Sequence, residues 1–164
     1  MRLTAELRYA ADPATVFAML CDQAFQERKL GATGALEHEV TVEARGGDGA
    51  EIRSRRTMPT DQVPDLVRNL VGSTLTVVQV ESWGPAGADG GRDGTVTVEV
   101  SGAPVRLTGS LRIRPDGAGT LETVDGDLKA RVPIIGGRIE RAAEPAIMAA
   151  IEVEEREGRS WLAR

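Results

Sequence analysis

The last third of the chain constrains the fold most strongly. Residues 121–132 have a strand-like pattern, the letters PIIGG follow at residues 133–137, and residues 138–162 carry a long helical pattern. Most of the chain between the first predicted helices and this point has the pattern of antiparallel strands. A sheet must cover its apolar face, and the terminal helix is the only large element left to cover it. The sequence therefore predicts a curved sheet that grips one long helix, often around a cavity.

Composition narrows the class of protein. A chain of 164 residues suits a single domain with a sizeable core. Its net charge of −5 gives no indication of nucleic-acid binding. No apolar run approaches the roughly 18 residues of a membrane span, and the N-terminus lacks the apolar segment of a signal peptide. The only cysteine, Cys21, has no internal disulfide partner. We expect a cytoplasmic protein.

Strand and helix patterns alternate in a simple order. An alternating apolar pattern at residues 3–9 predicts the first strand, and two short helices are expected at residues 12–20 and 23–30. A glycine-rich turn at residues 46–49 predicts a hairpin. The remaining strands are predicted at residues 36–45, 50–58, 74–83, 95–100, 105–114 and 121–132, with a short helix at 61–71 and a glycine-rich loop at 84–94.

The terminal helix shows one apolar stripe at helical spacing. The stripe consists of Ile139, Ala143, Ala146 or Ile147, Ala150 and, beyond a polar gap, Trp161. Its small residues allow tight packing on the sheet or leave a void for a ligand. Pro145 is expected to kink the helix unless the helix begins there. The solvated side of the helix is predicted to carry Glu140, Glu144, Glu152, Glu154, Glu155 and Glu157.

Two segments resemble a known superfamily. The letters DPATVF at residues 12–17, after the opening strand, and VPIIGGRIE at residues 132–140 resemble an uncharacterised actinobacterial family within the START-like superfamily, which also holds the polyketide cyclases. The resemblance covers nearly the whole chain. It implies an α+β helix-grip domain, with about seven antiparallel strands around a long C-terminal helix and two short helices after the first strand. It also implies a hydrophobic ligand between sheet and helix, and it supplies no catalytic residues.

Four polar residues are candidates for the inside of the sheet. His38, Ser54 and Arg56 share the parity of inward apolar neighbours, and Tyr9 belongs to the alternating face of the first strand. A histidine titrates near neutral pH and suits acid–base chemistry. A buried arginine needs a partner, either an internal carboxylate or a ligand carboxylate or phosphate. Each also has an ordinary explanation as a strand-end, solvated or hydrogen-bonded residue.

Two glycines and one cysteine have structural explanations as well. Gly109 and Gly126 lie at inward positions on neighbouring strands and either permit sharp curvature or leave space. Cys21 follows the apolar face of the first helix, with no base placed beside it, which favours structural burial. One histidine and one cysteine, without a ligand-spaced carboxylate cluster, do not predict a metal site. We expect no metal, no cofactor and no catalytic residue.

We expect non-covalent binding of a hydrophobic small molecule, such as a lipid or polyketide. The predicted ligand-binding residues are Tyr9, His38, Ser54, Arg56, Ile139, Ala143 and Ile147. Two alternatives stay open. An enzyme of the cyclase or aromatase type would need His38 or Arg56 in the cavity with a second acid–base group. A chaperone-like interaction module would need an exposed apolar patch. The sequence does not indicate an oligomeric state.

Overall fold

A seven-stranded antiparallel sheet forms the framework of this computed structural model, which describes residues 1–164. The strands lie in the order β1-β7-β6-β5-β4-β3-β2. They are β1 (Arg2–Tyr9), β2 (Glu37–Arg45), β3 (Gly49–Pro59), β4 (Thr74–Trp83), β5 (Arg92–Val100), β6 (Val105–Asp116) and β7 (Gly119–Ala130). The helices are α1 (Pro13–Leu20), α2 (Gln23–Ala32), α3 (Asp65–Val71) and α4 (Gly136–Leu162).

This architecture confirms the predicted α+β helix-grip fold. Strands β2 to β7 form a continuous meander, and β7 then pairs with β1. Several boundaries differ from the prediction; α3 begins at Asp65 rather than at residue 61, and β7 ends at Ala130 rather than at residue 132. Strand β5 begins at Arg92, inside the segment predicted as a loop, and α4 begins at Gly136. The alternative start of the last helix at Pro145 is therefore wrong, because Pro145 lies inside α4.

The β2–β3 hairpin follows from its turn residues. Gly47 and Asp48 have φ angles of 66° and 60°. Two consecutive residues in the left-handed region reverse the chain within residues 46–48, which connect Arg45 to its partner Gly49. The turn fixes the register in which His38 faces Arg56 and Val40 faces Ser54. All four residues therefore share the sheet face that contains the core residue Val40.

The paired glycines of β6 and β7 serve close packing. Gly109 is opposite Gly126, and a Cβ atom at Gly109 would lie 2.5 Å from the carbonyl oxygen of Asp125. A Cβ atom at Gly126 would lie 3.2 Å from the side chain of Leu107. Glycine thus allows the two strands to come close together, and Leu107 covers the space above Gly126.

Helix α4 packs against only part of the sheet. It contacts β1 and β7, and it also contacts α2 and α3. Ile139 is fully buried, whereas Ala143 and Ile147 pack against the core with part of their surface uncovered. Ala146 is exposed, so Ile147 is the residue of that pair that faces inward. The inward surface of α4 is thus fully covered towards both ends, at Ile139 and Gly158, and only partly covered between them.

The two short helices close the other side of the core. Asp12 and Asp22 cap α1 and α2 by accepting hydrogen bonds from backbone N–H groups of their first turns. The Phe25 ring of α2 meets Trp161 of α4 edge to face, with 5.6 Å between centroids. Complete burial of a side chain such as Phe25 stabilises the fold by about 1.5–3 kcal/mol. These contacts hold the C-terminal part of α4 near α2.

The junction before α4 contains a conformation that is unusual for its residue. Ile134 has a φ angle of 71°, and its side chain is fully exposed. A β-branched residue in the left-handed region is strained by about 1–2 kcal/mol because its Cβ approaches the following carbonyl oxygen. The chain nevertheless keeps isoleucine here, with no buried contact to compensate.

Replacing Ile134 with asparagine tests this strain. Asparagine tolerates the left-handed region, so Ile134→Asn should increase the free energy of unfolding by about 1 kcal/mol. The measurement is urea unfolding followed by circular dichroism. Leu36→Asn is the control, because Leu36 is also an exposed apolar residue and has no positive φ. A loss of stability in Ile134→Asn would show that the isoleucine contributes favourable contacts.

Candidate functional site

A buried ion pair lies between α2 and α4. Lys29 Nζ donates a hydrogen bond to Glu154 Oε2 at 2.7 Å. The side chains are only 8% and 15% exposed, so solvent screens the pair weakly. The prediction that Glu154 belongs to the solvated side of the helix is wrong. Glu140 and Glu157, which are predicted on the same side, are also only 15% exposed, and each is bonded to another element.

Glu81 extends the charged cluster onto the sheet. It is buried on β4, where Trp83 Nε1 donates to Glu81 Oε2 at 3.2 Å and Gln79 Nε2 donates to Oε1 at 2.8 Å. Residues two apart on a strand share one face, which brings these three side chains together. Glu81 is opposite Ile52 on β3 and Val96 on β5, both of them buried. An acidic group therefore occupies the middle of an otherwise apolar row.

Tyr9 and Glu122 carry buried polar atoms that have no partner. The hydroxyl oxygen of Tyr9 and the Oε2 atom of Glu122 make no hydrogen bond, and the two residues are 3% and 2% exposed. Tyr9 is opposite Thr120 and Leu7 is opposite Glu122, so Tyr9 and Glu122 are diagonal neighbours on one face. An unsatisfied buried polar group costs about 1–3 kcal/mol, which makes two in one place an energetic deficit.

The acidic groups of this interior resist ionisation. Burial raises the pKa of Glu122 well above its ordinary value, and the charges of Glu154 and Glu81 raise it further. Burial also raises the pKa of Glu81, against the opposing attraction of Lys29. For Lys29 burial opposes the charge, but the carboxylates of Glu154 and Glu81 outweigh burial and its pKa is raised. Burial likewise raises the pKa of Tyr9.

These shifts divide the cluster into charged and neutral parts. Lys29 and Glu154 form the charged pair, whereas Glu122 is favoured as a neutral carboxyl group. A neutral carboxyl group has one O–H donor as well as acceptor capacity. Glu122 and Tyr9 together can therefore both donate to and accept from a polar group between them.

The other predicted polar residues occupy different depths. Ser54 is buried, Arg56 is half-buried and His38 is exposed. The guanidinium of Arg56 makes no hydrogen bond or ion pair within the chain, and burial lowers its pKa against the attraction of Glu154. The three residues share one face of the sheet, but His38 lies at the second residue of the edge strand β2 and does not join the charged interior.

Several apolar side chains of the sheet and of α4 are only partly buried. They pack on the core but keep part of their surface uncovered, and they include Val98 and Val105 of the sheet and Ala143, Ile147 and Ile151 of α4. We call these five residues the apolar cleft. Two pockets also open elsewhere, one of about 240 Å³ around the β4–β5 loop and one of about 280 Å³ around β2–β4. Neither contains a residue of α4.

Cys21 and the other potential ligands do not form a reactive centre. Burial raises the pKa of the Cys21 thiol to about 11, which keeps it protonated at neutral pH. No three His, Cys, Asp or Glu side chains are arranged to hold a metal ion. None of the helices is long and apolar enough to cross a membrane.

The comparisons with known proteins identify the family. Residues 4–162 match the model of the family described as "Protein of unknown function (DUF2505)". The chain belongs to this family. An uncharacterised protein of Mycobacterium tuberculosis is 28% identical over 124 residues, which cover 71% of this chain and 68% of the relative. An uncharacterised protein of Mycobacterium bovis matches to the same extent.

Solved structures show that the DUF2505 chain has a START-like fold. A STAR-related lipid transfer protein from Xanthomonas axonopodis superposes with a TM-score of 0.63 at 16% identity, covering 99% of this chain and 86% of that one. A START superfamily protein from Mycobacterium smegmatis gives 0.59 at 12% identity and covers 98% of each chain. At these identities the likeness establishes the fold alone.

Glu122→Gln should alter the pH dependence of stability in this family member. The folded pKa of Glu122 lies above its ordinary value of 4.5, so the folded state retains a proton that the unfolded chain loses. The stability due to this group is complete below about pH 4.5 and declines as the pH rises towards the folded pKa. Glutamine is neutral throughout, so the variant should gain stability relative to the parent as the pH rises.

Urea unfolding between pH 4 and pH 9 measures this difference. Glu39→Gln, at an exposed position of β2, is the matched control. A difference between Glu122→Gln and the parent that stays constant over the whole range would show that Glu122 does not hold its proton in the folded state.

Proposed function

We propose that this domain binds a hydrophobic small molecule, such as a lipid or polyketide, between its sheet and helix α4. The observation that carries the proposal is the apolar cleft, in which residues of the sheet and of α4 both keep apolar surface uncovered. Helix α4 packs on β1 and β7, and the cleft residues Val98 and Val105 lie on β5 and β6. A ligand would complete the covering of this part of the sheet.

The driving force would be burial of apolar surface. At about 25 cal/mol per Å², removing about 200 Å² from water contributes about 5 kcal/mol before the entropic cost of association is subtracted. Affinity in the micromolar range therefore requires a ligand with a chain or ring system that fills the cleft. The STAR-related protein of Xanthomonas axonopodis is described as a lipid transfer protein, which supports this class of ligand.

The proposed binding residues divide by position. Ala143 and Ile147 form the helix wall, with Ile139 as its fully buried end. Ser54 and Arg56 lie on the sheet, where the unpaired guanidinium of Arg56 is available to a polar group. The buried Tyr9 would contact the inner end of the ligand. The exposed His38 would contact it only at the edge of the sheet. The proposal requires binding only and assigns no catalytic residue.

Filling the cleft from the helix side tests the proposal. Ala143→Phe places an aromatic ring in the apolar cleft and should weaken binding of an environment-sensitive apolar dye at least ten-fold by occupying the ligand's space. Fluorescence titration measures the affinity. Ala149→Phe is the matched control, because it makes the same change at an exposed position of α4.

Circular dichroism and thermal unfolding establish that both variants fold. The proposal fails if no apolar probe binds the parent protein, or if Ala143→Phe and Ala149→Phe bind the dye equally well.

A further inference from the structure

We propose that Tyr9 and Glu122 form a subsite for the hydroxyl group of an uncharged, hydroxyl-bearing amphiphile. This inference rests on the proposed function and specifies which ligands the cleft selects. Both residues are almost completely buried, yet the Tyr9 hydroxyl and Glu122 Oε2 have no hydrogen-bond partner. Native interiors satisfy nearly all buried polar groups, so two orphaned atoms on neighbouring strands indicate a missing polar group between them.

The position of the pair suits the inner end of a ligand. Tyr9 lies against Gly158 of α4, where an added Cβ would be 2.6 Å from the tyrosine ring. Glu154 lies one helical turn before Gly158, and Ile151 of the apolar cleft lies close to one turn before Glu154. A molecule lying along α4 would therefore pass from apolar residues to polar ones at its Tyr9 end.

The charges around the subsite select against an anionic head group. Glu81, Glu122 and Glu154 lie close enough to influence one another, and the only lysine among them is already paired with Glu154. A carboxylate or phosphate placed there would be repelled. A hydroxyl group has one donor and two acceptor positions, which complement the tyrosine hydroxyl and a neutral carboxyl group without adding charge.

Ten-carbon probes that differ only in their polar end distinguish a hydroxyl subsite from an anionic, a cationic or a purely apolar one. The probes are 1-decanol, decanoate, decylamine and n-decane, each in competition with the bound apolar dye. Decanol should bind the parent at least ten-fold more tightly than decane. Tyr9→Phe should remove about ten-fold of decanol affinity and leave decane unchanged, because it deletes only the hydroxyl group. Glu122→Leu should act in the same direction.

Thr120→Val is the control variant. It deletes another buried hydroxyl group beside Tyr9, but Thr120 Oγ1 already donates to the Ala11 carbonyl oxygen and is not available to a ligand. Decanol affinity should therefore be unchanged in this variant if it folds like the parent.

The outcomes distinguish this inference from the proposed function. Equal binding of decane and decanol, or decanol binding that is insensitive to Tyr9→Phe, overturns the hydroxyl subsite and leaves hydrophobic binding intact. Tighter binding of decanoate that depends on Arg56, or of decylamine that depends on Glu122, also overturns it. Failure of every probe to displace dye, or of the dye to bind at all, instead overturns the proposed function.

A second inference rests on the junction before α4, independently of the interior. We infer that this junction, residues 129–141, which we call the tip, docks on a membrane surface that contains anionic lipids. Ile134 is fully exposed in its strained conformation. Three arginines lie near Ile134 in the sequence, are exposed to solvent and make no ion pair within the chain: Arg131, Arg138 and Arg141. An exposed apolar side chain flanked in the sequence by unpaired arginines is complementary to an anionic lipid surface.

The charge of the tip differs from that of the whole protein. The chain has a net charge of −5, but residues 129–141 contain four basic residues and a single acidic one, Glu140. Glu140 is occupied by the Ala130 N–H group and the N-terminal amine. Arg138 also lies in the first turn of α4, where the helix dipole disfavours a cation. An external anionic surface would relieve that repulsion.

Vesicle co-sedimentation tests the docking surface. The parent should bind vesicles of phosphatidylcholine with phosphatidylglycerol at least ten-fold more tightly than pure phosphatidylcholine, and added salt should weaken this binding. Ile134→Asn should reduce binding several-fold, and Arg138→Glu with Arg141→Glu should abolish the preference for anionic lipid.

Two matched variants control for general effects. Leu36→Asn removes the other large exposed apolar side chain, and Arg55→Glu reverses an exposed, unpaired arginine on β3. Both should bind like the parent. The inference would be overturned if the parent bound neutral and anionic vesicles equally or did not bind vesicles at all. It would also be overturned if the control variants lost vesicle binding.

Discussion

The ion pair between Lys29 and Glu154 is the constraint around which the interior is arranged. It joins α2 to the C-terminal half of α4 at a point where both side chains are largely removed from water. Removing one partner of such a pair leaves an uncompensated buried charge, which costs about 3–5 kcal/mol. The pair therefore fixes where α4 can lie, and with it the side of the helix that faces the sheet.

The ion pair also determines the electrostatics of the remaining groups. Burial and the nearby carboxylates of Glu154 and Glu81 favour the protonated form of Glu122, and they outweigh the attraction of Lys29, which is paired with Glu154. The interior thus joins uncovered apolar surface to neutral hydrogen-bonding groups, next to a self-contained charge pair. That combination suits an amphiphile with an uncharged polar end better than a fully apolar or an anionic molecule.

Sequence patterns predicted the framework because the framework follows local rules. Alternation in β1, the turn at Gly47 and Asp48, and the long amphipathic pattern of α4 each determine a structure within a few residues. The START-like superfamily resemblance supplied the arrangement of these elements. The stripe through Ile139 and Ile147 was likewise placed correctly, since helical spacing alone identifies it.

The charged and acidic part of the interior was not predicted, because its signals are not local. Glu154 has the sequence context of a solvated glutamate, and only the position of Lys29 on a distant helix shows that it is buried. Glu81 and Glu122 occupy inward positions of their strands, so their parity was the available signal. Acidic residues on strands ordinarily face solvent, and this expectation concealed the functional candidates.

A single measurement tests the account most directly. Nuclear magnetic resonance of protein labelled at isoleucine and valine methyl groups, titrated with 1-decanol, reports which side chains the ligand contacts. We expect intermolecular nuclear Overhauser effects from the decanol chain to Ile147, Ile151 and Val98, which line both walls of the apolar cleft. Contacts confined to exposed methyl groups such as those of Ile134, or no contacts at all, would contradict a ligand site between the sheet and α4.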